Sequence, residues 1–487
     1  MEATPTALLK FLLPKTPLLV KTALAHTLSL SSTSAKWDLR TEMTVKVLRH
    51  MLGPETKTSS ITHAQKLTTK DPGVKGKVWV SRVTVPEEDR GDASRDTVLA
   101  AVREMGDGSE EWEEPPARKL EVEWTGYRGG VHTNTPEPAN MSEKEKFDNL
   151  MKETTSKVTV LYFHGGAMYL LDPATYRPMA SRLAREMGGR VFNVRYRLAP
   201  QNPFPAALLD AFTAYLSLLH PPPGSPHEPV AANEIVFGGD SAGGMLCLVL
   251  LQVLLHLHRS NPNKETLPTT EWYGENVDIP LPAGIALSSP WLDVTRSLPS
   301  IENLAHYDYL PPPSSMQKMR YPPCPAWPTS PPRADLYCEA SAMLHPLVSP
   351  VLAKDWRGAP PVFFSLGEEM LRDEDAVLAK RLDAQGVVVR WREFEAMPHV
   401  FGMMLEALPA SNLHFEETAR FCKEMVEGKI LQSSGEIIMA KTLARKEVAL
   451  RELTDIRDEE VEVTTRGARD RIAARHGDVV AEMKPML

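Results

Sequence analysis

The chain has 487 residues, enough for one large domain with additional segments, and 42% of them are hydrophobic while 24% are charged. This balance is typical of globular proteins and excludes wholesale disorder. The formal net charge of −8 provides no general attraction for nucleic acid. The four cysteines are widely scattered and form no Cys-x-x-Cys pair. They therefore indicate neither a zinc site nor a redox dithiol, and they fit an intracellular, reducing compartment.

Residues 1–36 form a basic apolar N-terminal segment. Between Ala3 and Trp37 there is no acidic residue, whereas four lysines interrupt leucine-rich stretches: Lys10, Lys15, Lys21 and Lys36. The longest uncharged run, 22–35, is too short and too polar to span a bilayer. We expect this segment either to lie on a membrane surface, such as that of the endoplasmic reticulum, or to pack over the next domain as part of a cap. A cleaved targeting peptide is a third alternative.

Residues 37–432 are expected to form one domain. Its cap elements occupy 37–75 and begin with a helix over 37–52, and two β-rich runs follow at 77–85 and 120–124. From residue 158 onward, short apolar runs at 158–163, 190–196, 234–238, 283–287, 361–366 and 387–394 alternate with segments of helical period. The helical segments include 205–219, 243–256 and 373–385. This alternation predicts an α/β fold with a mostly parallel sheet and helices on both faces.

Three stretches depart from the alternation. Residues 258–280 are polar and are predicted to form a loop. The insertion 310–333 contains nine prolines, whose fixed φ angles and missing N–H groups preclude regular structure over most of it. The charged residues 433–487 are predicted to be an appended helical or partly disordered tail.

The sequence Gly239-Asp-Ser-Ala-Gly243 follows a predicted strand and precedes an apolar helical run. This context is typical of a nucleophile elbow, a sharp turn that holds a serine in a strained backbone conformation. Small neighbours are needed because larger side chains would clash in so tight a turn. Ser241 is therefore the candidate nucleophile, at a helix N-terminus that favours developing negative charge.

A second glycine-rich segment, His164-Gly-Gly-Ala167, follows the predicted strand 158–163. The backbone N–H groups of Gly165, Gly166 and Ala167 are predicted to converge with that of Ala242 on the oxygen of a tetrahedral intermediate. His164 itself is predicted to be structural.

A serine nucleophile needs a base and a carboxylate that orients it, in the chain order serine, acid, histidine. Position and order favour His399 as the base over His306, His345 and His414. Candidates for the acid follow the predicted strand 361–366, with one outside it: Glu368, Glu369, Asp373, Glu374 and the more distant Asp293.

These motifs together resemble the hormone-sensitive-lipase family of esterases, and within it the fungal steryl-acetyl-hydrolase and arylacetamide-deacetylase-like branch. The resemblance covers about residues 37–427 and rests on five ordered motifs. They are His164-Gly-Gly166, Tyr196-Arg-Leu-Ala-Pro200 with Phe204-Pro-Ala206, Gly239-Asp-Ser-Ala-Gly-Gly244, Ser289-Pro-Trp291, and Leu371-Arg-Asp-Glu374 before Pro398-His399.

The resemblance implies the α/β-hydrolase fold and a serine esterase or deacetylase that works through an acyl-enzyme, without metal or cofactor. It also implies acetyl or short-chain esters of apolar alcohols as substrates, sterols being one option. Ser241 would be the nucleophile and His399 the base, while Tyr196 to Pro200 and Asp210 would be scaffold. The alternative is a catalytically inactive, ligand-binding relative, although Ser241, His399 and a suitable acid are all present.

Three positions differ from the family's usual pattern. Ala167 replaces the last glycine of the glycine motif, and Val400 stands where a glycine usually follows the histidine. Aligning Leu371-Arg-Asp373 with the family puts Glu369 at the position of the triad aspartate, with Asp373 as the alternative. The aromatic candidates for an apolar pocket are Trp291, Trp327, Tyr307 and Tyr309.

Overall fold

The computed structural model describes residues 13–54, 56, 58–88, 93–316, 320–429 and 432–483. The strands are β1 Val78–Val85, β2 Leu120–Tyr127, β3 Thr159–Phe163, β4 Arg190–Val194, β5 Ile235–Asp240, β6 Thr269–Trp272, β7 Glu275–Asp278, β8 Gly284–Ser288, β9 Val362–Gly367, β10 Val389–Phe394, β11 Ser434–Ile438 and β12 Arg445–Val448. The helices are α1 Thr16–Thr27, α2 Leu39–Leu52, α3 Ile61–Thr68, α4 Ala93–Met105, α5 Glu143–Glu153, α6 Pro173–Met187, α7 Ala206–Leu219, α8 Ala242–Ser260, α9 Ser300–Asn303, α10 Pro313–Met316, α11 Arg372–Ala384, α12 Phe401–Met404, α13 Pro409–Val426 and α14 Asp458–Met483.

Ten strands form one sheet in the order β1-β2-β4-β3-β5-β8-β9-β10-β11-β12. The strands from β4 to β11 in this order run parallel, while β1, β2 and β12 pair antiparallel at the two ends. The side chains of β3, β5 and β9 are buried at every position, as expected for parallel strands covered on both faces. The predicted α/β architecture is therefore confirmed.

Helices cover both faces of the sheet. On one face α6 and α13 pack through a cluster that includes Tyr176, Leu183 and Phe415. On the other face α7, α8 and α11 contribute to the main core. Helix α8 is long and apolar enough to cross a membrane by length and composition, but most of it is buried inside this core. Packing in this core fixes the position of α8 and of the turn that precedes it.

The structure corrects two of the predicted irregular stretches. The segment 258–280 contains the hairpin β6–β7 in addition to loop. Residues 433–487 are not simply a tail, because β11 pairs in parallel with β10 over five residues and β12 closes that edge. Only α14 matches the predicted helical tail. Within the described part of 310–333, the one α-helix is the four-residue α10, as the prolines predict.

The N-terminal elements pack close to the predicted site. Helix α1 lies against α2, and Gln65 of α3 donates to the carbonyl oxygens of Tyr169 and Ala199, at 3.2 and 2.9 Å. Tyr169 follows the glycine-rich segment after β3. Residues 1–12, which carry much of the predicted basic apolar segment, lie outside the described residues.

Candidate active site

Ser241 occupies the turn between β5 and α8. Its backbone has φ 51° and ψ −123°, a conformation that side-chain-bearing residues rarely adopt. A Cβ atom on Gly243 would lie 1.9 Å from the Phe163 carbonyl oxygen, and one on Gly239 would lie 2.5 Å from backbone atoms of Gly243. The turn therefore requires glycine at both positions, and the half-buried serine is held at its apex.

Backbone hydrogen bonds connect this turn to the loop after β8. The N–H of Ser241 donates to Ser288 O, and the N–H of Trp291 donates to Ser241 O, both at 3.0 Å. The hydroxyl of Ser289 accepts the N–H of Val400 at 3.1 Å. One short segment, 288–291, thus contacts both Ser241 and the residue that follows His399.

His399 and Glu369 form a buried pair in which Nδ1 lies 2.6 Å from Oε2. Glu369 follows β9 and His399 follows β10, and these neighbouring parallel strands deliver both residues to the same edge of the sheet. Among the five acidic candidates, Glu369 is the one that the structure joins to His399.

The other four carboxylates have partners elsewhere. Glu368 accepts the N–H of Ala396, Asp373 that of Ser300, Glu374 that of Leu292 and Asp293 those of Thr295 and Ser297. The other histidine candidates also have partners elsewhere. His306, His345 and His414 contact Asn303 O, Val102 O and Ser365 Oγ respectively. The alternative acid Asp373 is therefore not supported by the geometry.

Burial and the neighbouring carboxylates shift the pKa of His399 in opposite directions. Burial by itself lowers the pKa of His399, but the charge and hydrogen bond of Glu369 outweigh it and raise the pKa above its usual value near 6.5. The carboxylates of Asp308 and Asp240 add to this effect. The site therefore stabilises the protonated imidazole, the form that a general base takes after it has accepted a proton.

The predicted role of Gly165 in an oxyanion hole is corrected by the structure. Its N–H points inward and donates to Tyr176 Oη at 3.0 Å and to Asp240 Oδ1 at 3.1 Å. In the described part of the chain, the N–H groups of Gly166, Ala167 and Ala242 have no hydrogen-bond partner. Gly166, Ala167 and Met168 have successive positive φ angles of 105°, 51° and 64°. Successive N–H groups in such a turn form a concave site for an anion.

Two of the departures from the family pattern lie at positions with positive φ angles. Ala167 has φ 51° and Val400 has φ 49°, which is the left-handed region that glycine occupies at no steric cost. In the family pattern given above, glycine is the usual residue at both positions, and this chain holds the same kind of backbone conformation with a side chain present, which adds strain. For a β-branched residue such as Val400 this conformation is a marked outlier.

Asp240 is a site residue that the sequence did not single out. Its carboxylate accepts hydrogen bonds from the hydroxyls of Tyr162 at 2.8 Å and Tyr176 at 2.9 Å, besides the Gly165 N–H. Burial raises the pKa of this carboxyl to about 6 against those hydrogen bonds, which lower it. Asp240, the residue immediately before Ser241, therefore binds the glycine-rich segment 164–167, which we call the glycine loop, through the Gly165 N–H. Its position between Gly239 and Ser241 was the only available signal.

Asp308 is a second residue that the sequence analysis missed. It is buried, and its carboxylate accepts the backbone N–H groups of Tyr309, Leu310 and Met370, the last of which follows Glu369. Because its charge acts on both His399 and Glu369, it belongs to the electrostatic environment of the pair. No motif in the sequence marks it, since it precedes a proline run without periodicity.

The residues assigned to the scaffold have structural contacts. Tyr196 donates to His164 O at 2.6 Å and stacks on the His164 ring at 4.3 Å between centroids. Burial lowers the pKa of His164 to about 4, so this imidazole is neutral. Asp210 accepts the N–H of Arg197 at 2.6 Å and its guanidinium at 3.0 Å.

The aromatic candidates separate into two groups. Tyr309 lies with its ring centroid 6.2 Å from that of His399, and Trp291 is bonded to Ser241 through its backbone. The ring of Tyr307 instead packs, tilted, against that of His306, and Trp327 pairs through its backbone with Cys324 inside the proline-rich insertion. Trp291 also borders a small apolar cluster whose buried members are Ile301, Met370 and Leu371.

Comparison with known proteins identifies the class to which this fold and site belong. Residues 160–403, half of the chain, match the family model described as alpha/beta hydrolase fold, and the chain belongs to that family. An acetyl-hydrolase of Streptomyces hygroscopicus is 29% identical over 268 residues, which are 54% of this chain and 75% of the relative. The hormone-sensitive lipase of Mus musculus is 36% identical over 101 residues, 20% of this chain and 12% of the lipase.

A solved esterase from the bacterial hormone-sensitive lipase family shares the fold with a TM-score of 0.51 at 21% identity, over 80% of this chain and 99% of the esterase. The protein is thus an esterase/lipase-type α/β-hydrolase, and a hormone-sensitive lipase is among its relatives.

Proposed function

We propose that the protein hydrolyses short-chain carboxylic esters of apolar alcohols through an acyl-enzyme on Ser241. The observation that carries this proposal is the buried 2.6 Å contact between His399 and Glu369, on loops bonded to the same segment as Ser241. A histidine oriented by a carboxylate is the group that a serine nucleophile needs as its base.

In the first half-reaction Ser241 Oγ attacks the ester carbonyl carbon, and His399 accepts the hydroxyl proton. The oxygen of the tetrahedral intermediate takes hydrogen bonds from the N–H groups of Gly166, Ala167 and Ala242. The carbon–oxygen bond to the alcohol then breaks, and His399 gives its proton to the leaving alcohol. Glu369 stabilises the imidazolium between these two steps without accepting its proton.

In the second half-reaction water attacks the acyl-enzyme while His399 accepts a proton from it. The new tetrahedral intermediate collapses, the carboxylic acid leaves, and the proton returns to Ser241. Each backbone donor to the intermediate is worth about 2.7–4 kcal/mol in the transition state. Three such donors and the buried pair account for the chemistry with groups of this chain alone.

The surroundings of the pair support an apolar substrate. Met370 and Leu371 directly follow Glu369 and pack with Ile301, with Trp291 at the border. The acyl group is proposed to be acetyl or short, in keeping with the acetyl-hydrolase among the relatives. A sterol is one candidate for the alcohol part.

The test of the mechanism is covalent labelling with a fluorophosphonate together with ester hydrolysis. Ser241→Ala should abolish labelling and lower kcat by about 10⁶-fold, the usual cost of removing a triad nucleophile. The exposed Ser109→Ala serves as the matched control and should label and turn over normally. A Ser241→Ala protein that still hydrolyses esters at the normal rate would falsify the mechanism.

The substrate class is tested with nitrophenyl esters of increasing acyl length, assayed beside a sterol acetate. We expect the highest kcat/KM for acetyl to butyryl esters. A protein that binds these esters without turning them over, and that resists labelling, would instead be the ligand-binding relative.

A further inference from the structure

Helix α1 exposes an apolar stripe that no other part of the described structure covers. Eleven large apolar side chains are strongly exposed in the described residues, and five of them lie between residues 13 and 30. These five, which we call the α1 stripe, are 52–76% exposed: Leu13, Val20, Leu24, Leu28 and Leu30. Val20 and Leu24 are four residues apart on α1, and Leu28, the C-cap of the helix, continues the same line.

The opposite face of α1 is fixed to the protein. Thr22 is buried, and His26 Nδ1 lies 2.6 Å from Glu42 Oε2 on α2, where the Ser31 hydroxyl also donates to the same carboxylate. The α1 stripe is thus held in one orientation, with apolar side chains outward and polar anchors inward. Leu18 and Leu19 on the inner side are half-buried, so α1 is apolar on its outer side as well as on the side that packs against the protein.

The charge around the α1 stripe is positive. No acidic residue occurs between Ala3 and Trp37, and Lys21 is exposed on the same helix. Lys46 of α2 lies close enough to Lys21 for the two charges to interact. Burial, Arg49 and Lys21 together lower the pKa of Lys46, which outweighs the attraction of Glu42. An apolar stripe flanked by cations is the pattern of a helix that binds an anionic lipid interface.

The segment ends beside the histidine loop. Lys36 forms an ion pair with Glu395, and the buried indole N–H of Trp37 donates to Ala396 O at 2.6 Å, three residues before His399. Residues 31–37 therefore connect the α1 stripe to the loop that carries His399, so a surface bound by the stripe would lie near that loop. That position suits an enzyme whose ester dissolves in lipid.

We propose that the α1 stripe and Lys21 form a docking surface for an anionic lipid bilayer, on which the protein rests peripherally. The proposal concerns where the protein works and goes beyond its chemistry. A second copy of the chain fits the surface less well, because a symmetric contact brings the same basic patch against itself. The five side chains of the α1 stripe also provide far less than the 20–30 residues that a stable protein interface uses on each side.

Flotation of the full-length protein with vesicles tests this surface. We expect flotation with vesicles that contain phosphatidylserine and much weaker flotation with phosphatidylcholine alone. The Val20→Ser, Leu24→Ser double variant should lower partitioning by about tenfold for each side chain, the effect of removing one buried aliphatic group. Lys21→Gln should lower it about fivefold and Lys21→Glu about 25-fold, since each charge near such a surface contributes about 1 kcal/mol.

Matched controls distinguish binding through the α1 stripe from non-specific adsorption of the protein to vesicles. Leu267→Ser with Val463→Ser removes two exposed apolar side chains elsewhere, and Lys119→Glu reverses an exposed lysine next to β2, which five strands separate from β10. These controls should float like the unmodified protein. All the variants should hydrolyse nitrophenyl acetate normally, so a failure of the chemistry would be visible separately. Absence of flotation, equal losses in the controls, or a solution dimer that only the α1 variants dissociate would overturn the proposal.

Discussion

The hydrogen bond between Glu369 and His399 decides which form of the imidazole is present at a given pH. Both side chains are buried, so neither charge is stabilised by water, and each depends on the other. Burial raises the pKa of Glu369, while the charge of His399 opposes that rise. For His399 the effect of the Glu369 carboxylate outweighs that of burial, so the pKa of His399 lies above 6.5. Catalytic activity that needs the neutral imidazole should therefore be low in mildly acidic solution and rise as the pH increases.

Replacing Glu369 with glutamine tests this coupling. We expect kcat to fall by about 10⁴-fold, as when a triad carboxylate becomes an amide, because the amide donates to Nδ1 and stabilises the tautomer that cannot accept the serine proton. The residual activity should titrate at lower pH than in the unmodified enzyme, since the group that raises the pKa of His399 is gone and burial remains. The measurement is kcat/KM against pH.

Asp373→Asn is the control for this experiment. Asp373 accepts the Ser300 N–H and does not contact His399, so its amide variant should retain most of the activity and the same midpoint. If Asp373→Asn were crippled and Glu369→Gln active, the acid would have been assigned to the wrong residue.

At this scale the sequence was informative where a residue type is dictated by backbone geometry. The small residues around Ser241 follow from steric contacts of the turn, and the alignment through Leu371-Arg-Asp373 led to Glu369. The prediction from the sequence failed at Gly165. The direction of its N–H depends on Tyr176 and Asp240, and no local sequence pattern encodes this contact. The same reasoning explains why Asp308 was missed.

Strands β11 and β12 are the elements that most change the predicted organisation. They are short, and the edge strand β12 is mostly charged; Glu436 on β11 and Arg445 on β12 form an ion pair across the hairpin. Charged residues are typical of strands at a sheet edge, where they prevent pairing with other chains. A charged strand of this length has the same composition as a solvated tail, so the pattern alone could not distinguish them.

The hairpin supports the histidine loop directly. Ile438 is buried, its carbonyl accepts the N–H of Glu395 at 2.9 Å, and Glu395 in turn accepts the N–H of Ala440 at 2.7 Å. Glu395 also pairs with Lys36 of the N-terminal segment. Loss of the hairpin should therefore disturb the loop that ends at His399.

Two truncations test this role. A chain ending at residue 432 should be destabilised by about 5 kcal/mol, counting about 1 kcal/mol for each of several lost hydrogen bonds and about 2 kcal/mol for Ile438, and should lose ester hydrolysis. A chain ending at Arg457 keeps both strands and loses α14, so it should melt at a higher temperature than the shorter chain and retain activity. Equal melting temperatures and activities for the two truncations would show that the hairpin contributes nothing.

At the scale of the whole molecule, segments far apart in sequence meet around the glycine loop. Tyr169 after that loop contacts Gln65 of α3 and, through its hydroxyl at 3.3 Å, Tyr321 of the proline-rich insertion. His476 of α14 contacts the carbonyl of Pro332 at 3.1 Å in the same insertion. Sequence periodicity predicts elements within the sheet, but it holds no information on contacts between irregular segments separated by more than 100 residues. These contacts between irregular segments were therefore beyond prediction from the sequence.

The two proposals together predict different behaviour towards a lipid-dissolved ester and a water-soluble ester. A sterol acetate or another apolar acetyl ester dissolved in vesicles is reached only by enzyme bound to the bilayer, whereas nitrophenyl acetate is reached from solution. Phosphatidylserine in the vesicles should therefore raise turnover of the vesicle-borne ester and leave that of the soluble ester unchanged. Raising the salt concentration should remove this gain, because the screening length falls from about 10 Å at 0.1 M to about 3 Å at 1 M.

The Lys21→Glu variant and the Val20→Ser, Leu24→Ser double variant should lose the gain on vesicle-borne ester and keep normal soluble turnover, since neither touches Ser241, His399 or Glu369. Ser241→Ala should lose both activities and still float. The measurement is the ratio of the two turnover rates for each variant at fixed enzyme concentration. A ratio that is insensitive to lipid charge, to salt and to the α1 substitutions would mean that the enzyme takes its substrate from water, whatever the α1 stripe binds.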